Sequence, residues 1–355
     1  DHESVLKRAM ELGSFNGDCG DVLLDIPEQN HRHVHLHIGL GSRFDLNSRA
    51  FQNAGAVLAR KLSEMNIASV ILDLSAPADL DPYESIKPFV EGVAIGSYTF
   101  SKYFRKREPF PLGKMTVVIP DYMDSKKAKN AMENAAKNIH ASNIARHLTN
   151  EASNNKTPAL FEKIIYQNMS DTGLKITTLQ EPELKKEKLN LIRAVGQAGS
   201  DTPRLIILED FKPERKKCLG IIGKAVTFDA GGLMLKSKES LPFMSDDVAG
   251  AAAVIGAMSV ITDLNLDYNT VCAIPIAENL LDSRSYRPAD VFETRWDISV
   301  EVNNTDSEGR LILADAFMYL QDEYELDLII DVATLTGAVC RALGNQVAGY
   351  FTNTD

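Results

Sequence analysis

The chain has 355 residues, 44% hydrophobic and 25% charged, with a formal net charge of −11. That balance excludes a disordered or membrane-embedded chain, its acidity argues against a phosphate backbone as the main partner, and the length suggests two domains at roughly 150 residues each. Cys19, Cys218, Cys272 and Cys340 are far apart and form no Cys-x-x-Cys pair, which excludes a disulfide framework or a thiolate zinc site and fits a reducing compartment.

The first 124 residues read as an α/β unit. Strands are expected over Arg32 to Leu40, Ser69 to Leu74 and Met115 to Pro120, and helices over Ser48 to Met65 and Tyr83 to Phe104. Strands that alternate with helices imply a mostly parallel sheet. His31, His33, His35 and His37 alternate along the first of these strands and would share one face. With no carboxylate or cysteine beside them in sequence, a half-exposed polar strand face explains them better than a zinc site. Gly39-Leu40-Gly41 is a weak dinucleotide signal, because the third glycine of that fingerprint is missing.

Residues 125–149 are alanine-rich and helical in pattern, and are expected to connect the domains. Thr157-Pro158 then opens a new helix, with proline at its first position. Residues 150–355 alternate again. Strands are expected over Lys175 to Leu179, Arg204 to Glu209, Cys218 to Gly223, Thr270 to Ala277, Ile298 to Val302 and Leu328 to Ala333, with helices before Gly196 and over Val248 to Leu264. The expected fold is therefore two α/β domains, the second with a mixed, mostly parallel sheet flanked by helices. The longest apolar run, around Ala249 to Met258, is far short of the ~18 residues of a membrane span. The first 20 residues lack the layout of a signal peptide, so a cytoplasmic location with no membrane partner is expected.

Chemistry concentrates at three junctions. Gly223-Lys224 leads through Thr227-Phe228-Asp229-Ala230-Gly231-Gly232 to Lys236. The second lies at Asp246-Asp247-Val248-Ala249-Gly250, and the third is Asn304-Thr305-Asp306-Ser307-Glu308-Gly309-Arg310-Leu311. A phosphate-binding loop is excluded, since its leading glycine would be Cys218 and its serine or threonine would be Ala225. Each acid also has a plain structural reading. Thr305-Asp306-Ser307-Glu308 has the spacing of a helix capping box, Asp229-Ala230-Gly231-Gly232 suits a turn, and Asp246 or Asp247 suits a helix N-cap. Strand ends that converge would instead gather four carboxylates in one crevice. Their repulsion demands cations, and an oxygen-rich site suits Mg²⁺, Mn²⁺ or a carboxylate-tolerant Zn²⁺.

These motifs, with Glu278-Asn279, Tyr286-Arg287-Pro288 and Ala333-Thr334-Leu335-Thr336-Gly337, resemble those of the leucyl (cytosol) aminopeptidase family over essentially the whole chain, most closely from Ala145 onward. The resemblance implies that Lys224, Asp229, Asp247, Asp306 and Glu308 bind two divalent metals. It implies that Lys236 polarises the scissile carbonyl and that Arg310 holds a bicarbonate ion which relays a proton. Met244, Thr334, Leu335 and Gly337 would line the pocket for the first side chain, although Met244 and Leu335 also suit ordinary core packing. Expected partners are peptides with a free N-terminus, leucine-like residues first, in a homohexamer. Nucleic acid is not expected. Relative to the family pattern, Ser307 and Ala230 are small-for-small changes, Ala249 and Ala289 stand where glycine is usual, and the catalytic domain stops short of its usual C-terminal segment. The alternative is a scaffold or binding protein of the same fold, catalytically impaired. A two-metal phosphoesterase would share the carboxylates but be indifferent to a free amine.

Overall fold

The computed structural model describes residues 2–26, 34–73, 81–105, 112–264 and 266–353. The chain divides into two compact units, residues 1–140 and 141–355.

The first unit contains α1 (His2–Glu11), β1 (Val22–Asp25), β2 (His35–Ile38), α2 (Ser48–Glu64), β3 (Ser69–Asp73), α3 (Ile86–Ser97), β4 (Lys114–Val118) and the start of α4 (Ser125–Asn150). β1 and β2 pair antiparallel, and β3 and β4 pair parallel. Alternation along β3 and β4 turns Val70, Leu72, Met115 and Val117 onto a core built from Phe51, Leu58, Leu62 and Phe89. Asn47 caps α2 by accepting from the Arg49 and Ala50 amides. α3 is shorter than the Tyr83 to Phe104 helix expected from sequence. Asp81 holds a turn ahead of it through the Tyr83 amide (2.9 Å), and Tyr98 takes extended backbone that ends it. His35 and His37 lie on half-buried β2, while His31 and His33 fall outside the described residues, so no four-imidazole row is assembled among those described. β1 was not foreseen in the sequence.

The second unit continues with α5 (Pro158–Met169), β5 (Lys175–Leu179), α6 (Glu181–Lys186), α7 (Asn190–Gly196), β6 (Arg204–Asp210), β7 (Lys217–Gly223), β8 (Ala225–Asp229), α8 (Ala249–Ile261) and β9 (Tyr268–Asn279). β10 (Val291–Glu293), β11 (Ser299–Glu301), α9 (Glu308–Glu323), β12 (Leu328–Val332) and α10 (Ala338–Leu343) follow. Six strands form a mixed sheet in the order β12-β7-β9-β6-β5, with β8 also beside β9. β7 is parallel to β9 and β12, β8 is parallel to β9, and β6 is antiparallel to both β9 and β5.

Both faces of this sheet are covered. In β6, Leu205 and Ile207 join Leu191, Ile192, Ile312 and Leu320 of α7 and α9. Ile206 and Leu208 join Phe161, Ile165, Val254 and Ile255 of α5 and α8 on the other side. Two-sided burial is why the central strands β6 and β9 read as apolar runs rather than as alternations. The helical stretch Leu241–Leu264, which includes α8, is long and apolar enough to cross a membrane, beyond the shorter run read from sequence. It is mostly buried and packs on the sheet as a core helix. Lys156 is fully buried and donates to the last carbonyls of α4, Leu148 (3.1 Å) and Thr149 (3.0 Å), with burial pulling its pKa down to about 8. The consequence for the site is one of direction. β7, β8, β9 and β12 run the same way, so the residues that follow them emerge at one edge, as in open α/β sheets that bind ligands beyond their strand ends.

Candidate metal centre

Lys224 follows β7 and is tied to the end of β12 by its amide, which donates to the Val332 carbonyl (3.0 Å). Its buried ammonium donates to Asp247 Oδ1 (2.8 Å), Glu308 Oε1 (2.9 Å) and the Thr334 carbonyl (3.0 Å). Asp229 closes β8, Glu308 opens α9, and Asp306 sits in the turn between β11 and α9. One carboxylate oxygen from each of Asp229, Asp306 and Glu308 lies within 4.8 Å of the others. Lys236 reaches the same group, 2.7 Å from Asp229 Oδ2 and 2.5 Å from Asp306 Oδ1.

The loop that delivers Lys236 is closed by two backbone bonds, Lys236 N–H to Ala230 O (3.0 Å) and Ala230 N–H to Asn279 O (2.8 Å). Gly231 and Gly232 both take left-handed backbone, φ +86° and +62°, a region costly for residues with a Cβ. A β-carbon on Gly231 would also lie 3.1 Å from Asp306 Oδ1, and one on Gly232 would lie 3.2 Å from Thr305 Oγ1. The Thr305 hydroxyl donates to Gly231 O (2.7 Å) and accepts from the Met234 amide (2.9 Å), which fastens this loop to the entrance of α9.

These contacts correct the plain readings of the acids. Thr305 and Glu308 do not form a capping box. Asn304 accepts from the Asp306 amide (2.8 Å), and Glu308 turns to Lys224. Asp247 does not cap α8, whose N-cap is Val248 with no side-chain bond. Asp229 does accept from the Gly231 amide (2.9 Å), as a turn aspartate would, and also from Asn279 Nδ2 (2.8 Å).

Electrostatically, two ammonium groups face four carboxylates. Burial pushes Asp247 up to about 7, with Lys224 opposing, and raises Glu308. Burial lowers Lys224, but Glu308 and Asp247 overcome it and hold the group above its usual range. Lys236 is raised in the same way by Asp229 and Asp306. Buried acids whose pKa burial raises, beside a triad of close oxygens, fit a divalent cation, whose charge would favour their ionised forms.

Of the other residues singled out in the sequence, Arg310 is exposed in the first turn of α9 and has no ion pair among the described residues. Thr334 is occupied twice, its hydroxyl donating to Asp247 Oδ1 (2.6 Å) and its carbonyl accepting from Lys224. Leu335 lies beside Gly309, where a β-carbon would meet Leu335 Cδ1 at 3.0 Å and Lys224 Cε at 2.8 Å. Met244 is half-buried, and Gly337 faces open space. The sequence alone gives Asn279 and Tyr286 no part in the site and gives Thr305 only that of a helix cap, although their motifs carry the family resemblance. The Thr305 carbonyl accepts from both Asn279 Nδ2 (3.0 Å) and the buried Tyr286 hydroxyl (2.6 Å).

The model of the cytosol aminopeptidase family's catalytic domain matches residues 143–355, and that of its N-terminal domain matches residues 1–107. The chain belongs to the cytosol aminopeptidase family. A probable cytosol aminopeptidase of Syntrophotalea carbinolica is 38% identical over 326 residues, covering 90% of this chain and 65% of the relative. One of Sinorhizobium fredii is 32% identical over 363 residues, covering the whole chain and 72% of the relative. This family member thus spans about two thirds of the length of such relatives. Among solved structures, the bottromycin maturation enzyme BotP in complex with Mn is similar, with a TM-score of 0.85 and 29% identity over 94% of this chain and 71% of BotP.

Proposed function

We propose that this cytosol aminopeptidase family member is a cation-dependent aminopeptidase that releases N-terminal residues, leucine-like ones preferred, from peptides. The observation that carries this reading is the convergence of Asp229, Asp306 and Glu308 within 4.8 Å beside the Lys224–Asp247 pair. Those five side chains would hold two divalent ions, Mn²⁺ or Zn²⁺, with Mg²⁺ as an alternative. BotP, solved with Mn, supports a place for manganese. When bound, such ions supply Lewis-acid chemistry, activating water and polarising a carbonyl.

The chain's own residues do the rest. Lys236, held protonated by Asp229 and Asp306, is placed to donate to the scissile carbonyl oxygen and to hold its developing negative charge. Lys224 can act as a ligand only as the neutral amine, a form that neighbouring cations favour. Arg310, exposed and without an ion pair among the described residues, is suited to hold bicarbonate as a proton carrier. The pocket for the first side chain falls to Met244, Leu335 and Gly337, with Thr334 serving chiefly to orient Asp247. The resemblance also implies a homohexamer working in the cytosol, to be tested by sedimentation.

Replacing Asp306 by alanine tests the reading directly. It is expected to lower kcat/KM by at least about 100-fold and to remove bound cation from the purified protein. Metal content and turnover equal to those of the unmodified chain would refute it, and phosphate-monoester hydrolysis indifferent to a free amine would favour the phosphoesterase.

A further inference from the structure

Asn279 has no part in the chemistry proposed above, yet its side chain is buried at the centre of the site. Its Nδ2 lies 2.8 Å from Asp229 Oδ1, 3.0 Å from the Thr305 carbonyl and 3.4 Å from Glu308 Oε2. Three acceptors therefore share the two hydrogens of one amide. Its Oδ1, by contrast, is buried with no hydrogen-bond partner among the described residues. Such an orphan is costly and calls for a physical reason. Turning the amide over does not cure it, because the oxygen would then face two carboxylates.

From these contacts we infer that Asn279 is a positioning residue, which sets the separation of the Asp229 and Glu308 carboxylates and thereby the affinity of the centre for divalent cations. The inference rests on the cation-binding reading of the site. Asn279 stands on rigid ground, since it ends β9, is in register with Asp229 of β8, and its carbonyl accepts from Ala230. From there its side chain reaches across to the other ligand-bearing segment at the entrance of α9. A neutral donor suits the task. It draws two acids together without adding an ammonium group that would compete with a cation for them. Gly232 leaves the room it needs, as a β-carbon there would come within 3.0 Å of Asn279 Oδ1.

The test uses the whole chain stripped with chelator, comparing the unmodified protein with Asn279→Leu, which deletes donors and orphan acceptor at similar volume, and with Asn279→Ala. Mn²⁺ binding is followed by the electron paramagnetic resonance of the free ion, and folding by circular dichroism in chelator. The expected result is Mn²⁺ affinity about 10- to 100-fold weaker in the variants, with melting in chelator nearly unchanged. A merely structural role would not separate the two readouts. Mn²⁺ titrations that superimpose on those of the unmodified protein would overturn the inference, as would both variants being unfolded in chelator; if only one folds, that one decides. An unmodified chain that takes up no Mn²⁺ would instead overturn the cation-binding reading itself.

Discussion

Asp315 is an acid that the proposed chemistry leaves unused. It is fully buried in α9, and its Oδ2 accepts from the Leu191 (2.8 Å) and Ile192 (2.9 Å) amides at the start of α7. Burial pushes it up to about 7 despite those two bonds. Its folded pKa thus stands above the unfolded value of about 3.9. The stability this gives is complete below about pH 4 and is lost as pH rises through about 7. Asp315→Asn, fixed in the uncharged form, is expected to gain on the unmodified chain over that window by up to about 4 kcal/mol. Denaturant titrations at pH 4, 6 and 8 check this, and an unchanging difference would contradict it. Ala289 is a second residue with a defined cost. It takes φ +71°, a left-handed backbone that glycine adopts freely. Ala289→Gly is expected to raise stability by about 0.5–1 kcal/mol, read as a higher melting temperature. The family resemblance marks this as a position where glycine is usual, but the left-handed backbone of Ala289 has no signal in the sequence.

At the scale of elements, β6 and β9 were legible because both faces are buried and their runs are largely apolar. β8 was not, because only Lys224 separates it from β7 and a strand directly after a strand reads as one run with a loop. The run Thr305 to Glu308 shows a different limit. Its spacing satisfies the capping-box rule, but whether Thr305 turns back on its helix or across to Gly231 is decided by a chain segment more than 70 residues away. The two hydrogen bonds of that hydroxyl are what fasten the Lys236 loop to α9. Thr305→Val is therefore expected to cost about 1–3 kcal/mol of stability and, with Lys236 in the transition-state role proposed for it, to lower kcat more than it raises KM. Steady-state kinetics separate the two, and a change confined to KM would contradict the assignment.

For the whole molecule, composition showed only an acidic globular chain, and two α/β units emerged from periodicity. The four carboxylates fall in two stretches, Asp229 with Asp247 and Asp306 with Glu308, and become one site because the parallel ends of β7, β8, β9 and β12 meet the entrance of α9. That convergence was foreseeable as a possibility from the glycine-flanked acids. The bridging of those acids by Asn279, Lys224 and Lys236 was not, since side-chain pairing across a sheet edge leaves no periodic signal. The central claim is that this edge forms a cation-dependent site that acts only on a free N-terminus. It is tested most directly by hydrolysis of a leucyl arylamide by the Mn²⁺-loaded chain, run beside the N-acetylated substrate and a chelator-treated sample. Turnover of the free-amine substrate alone, abolished by chelator and restored by Mn²⁺, is expected. Equal turnover of the acetylated substrate, or turnover that survives chelation, would contradict the claim.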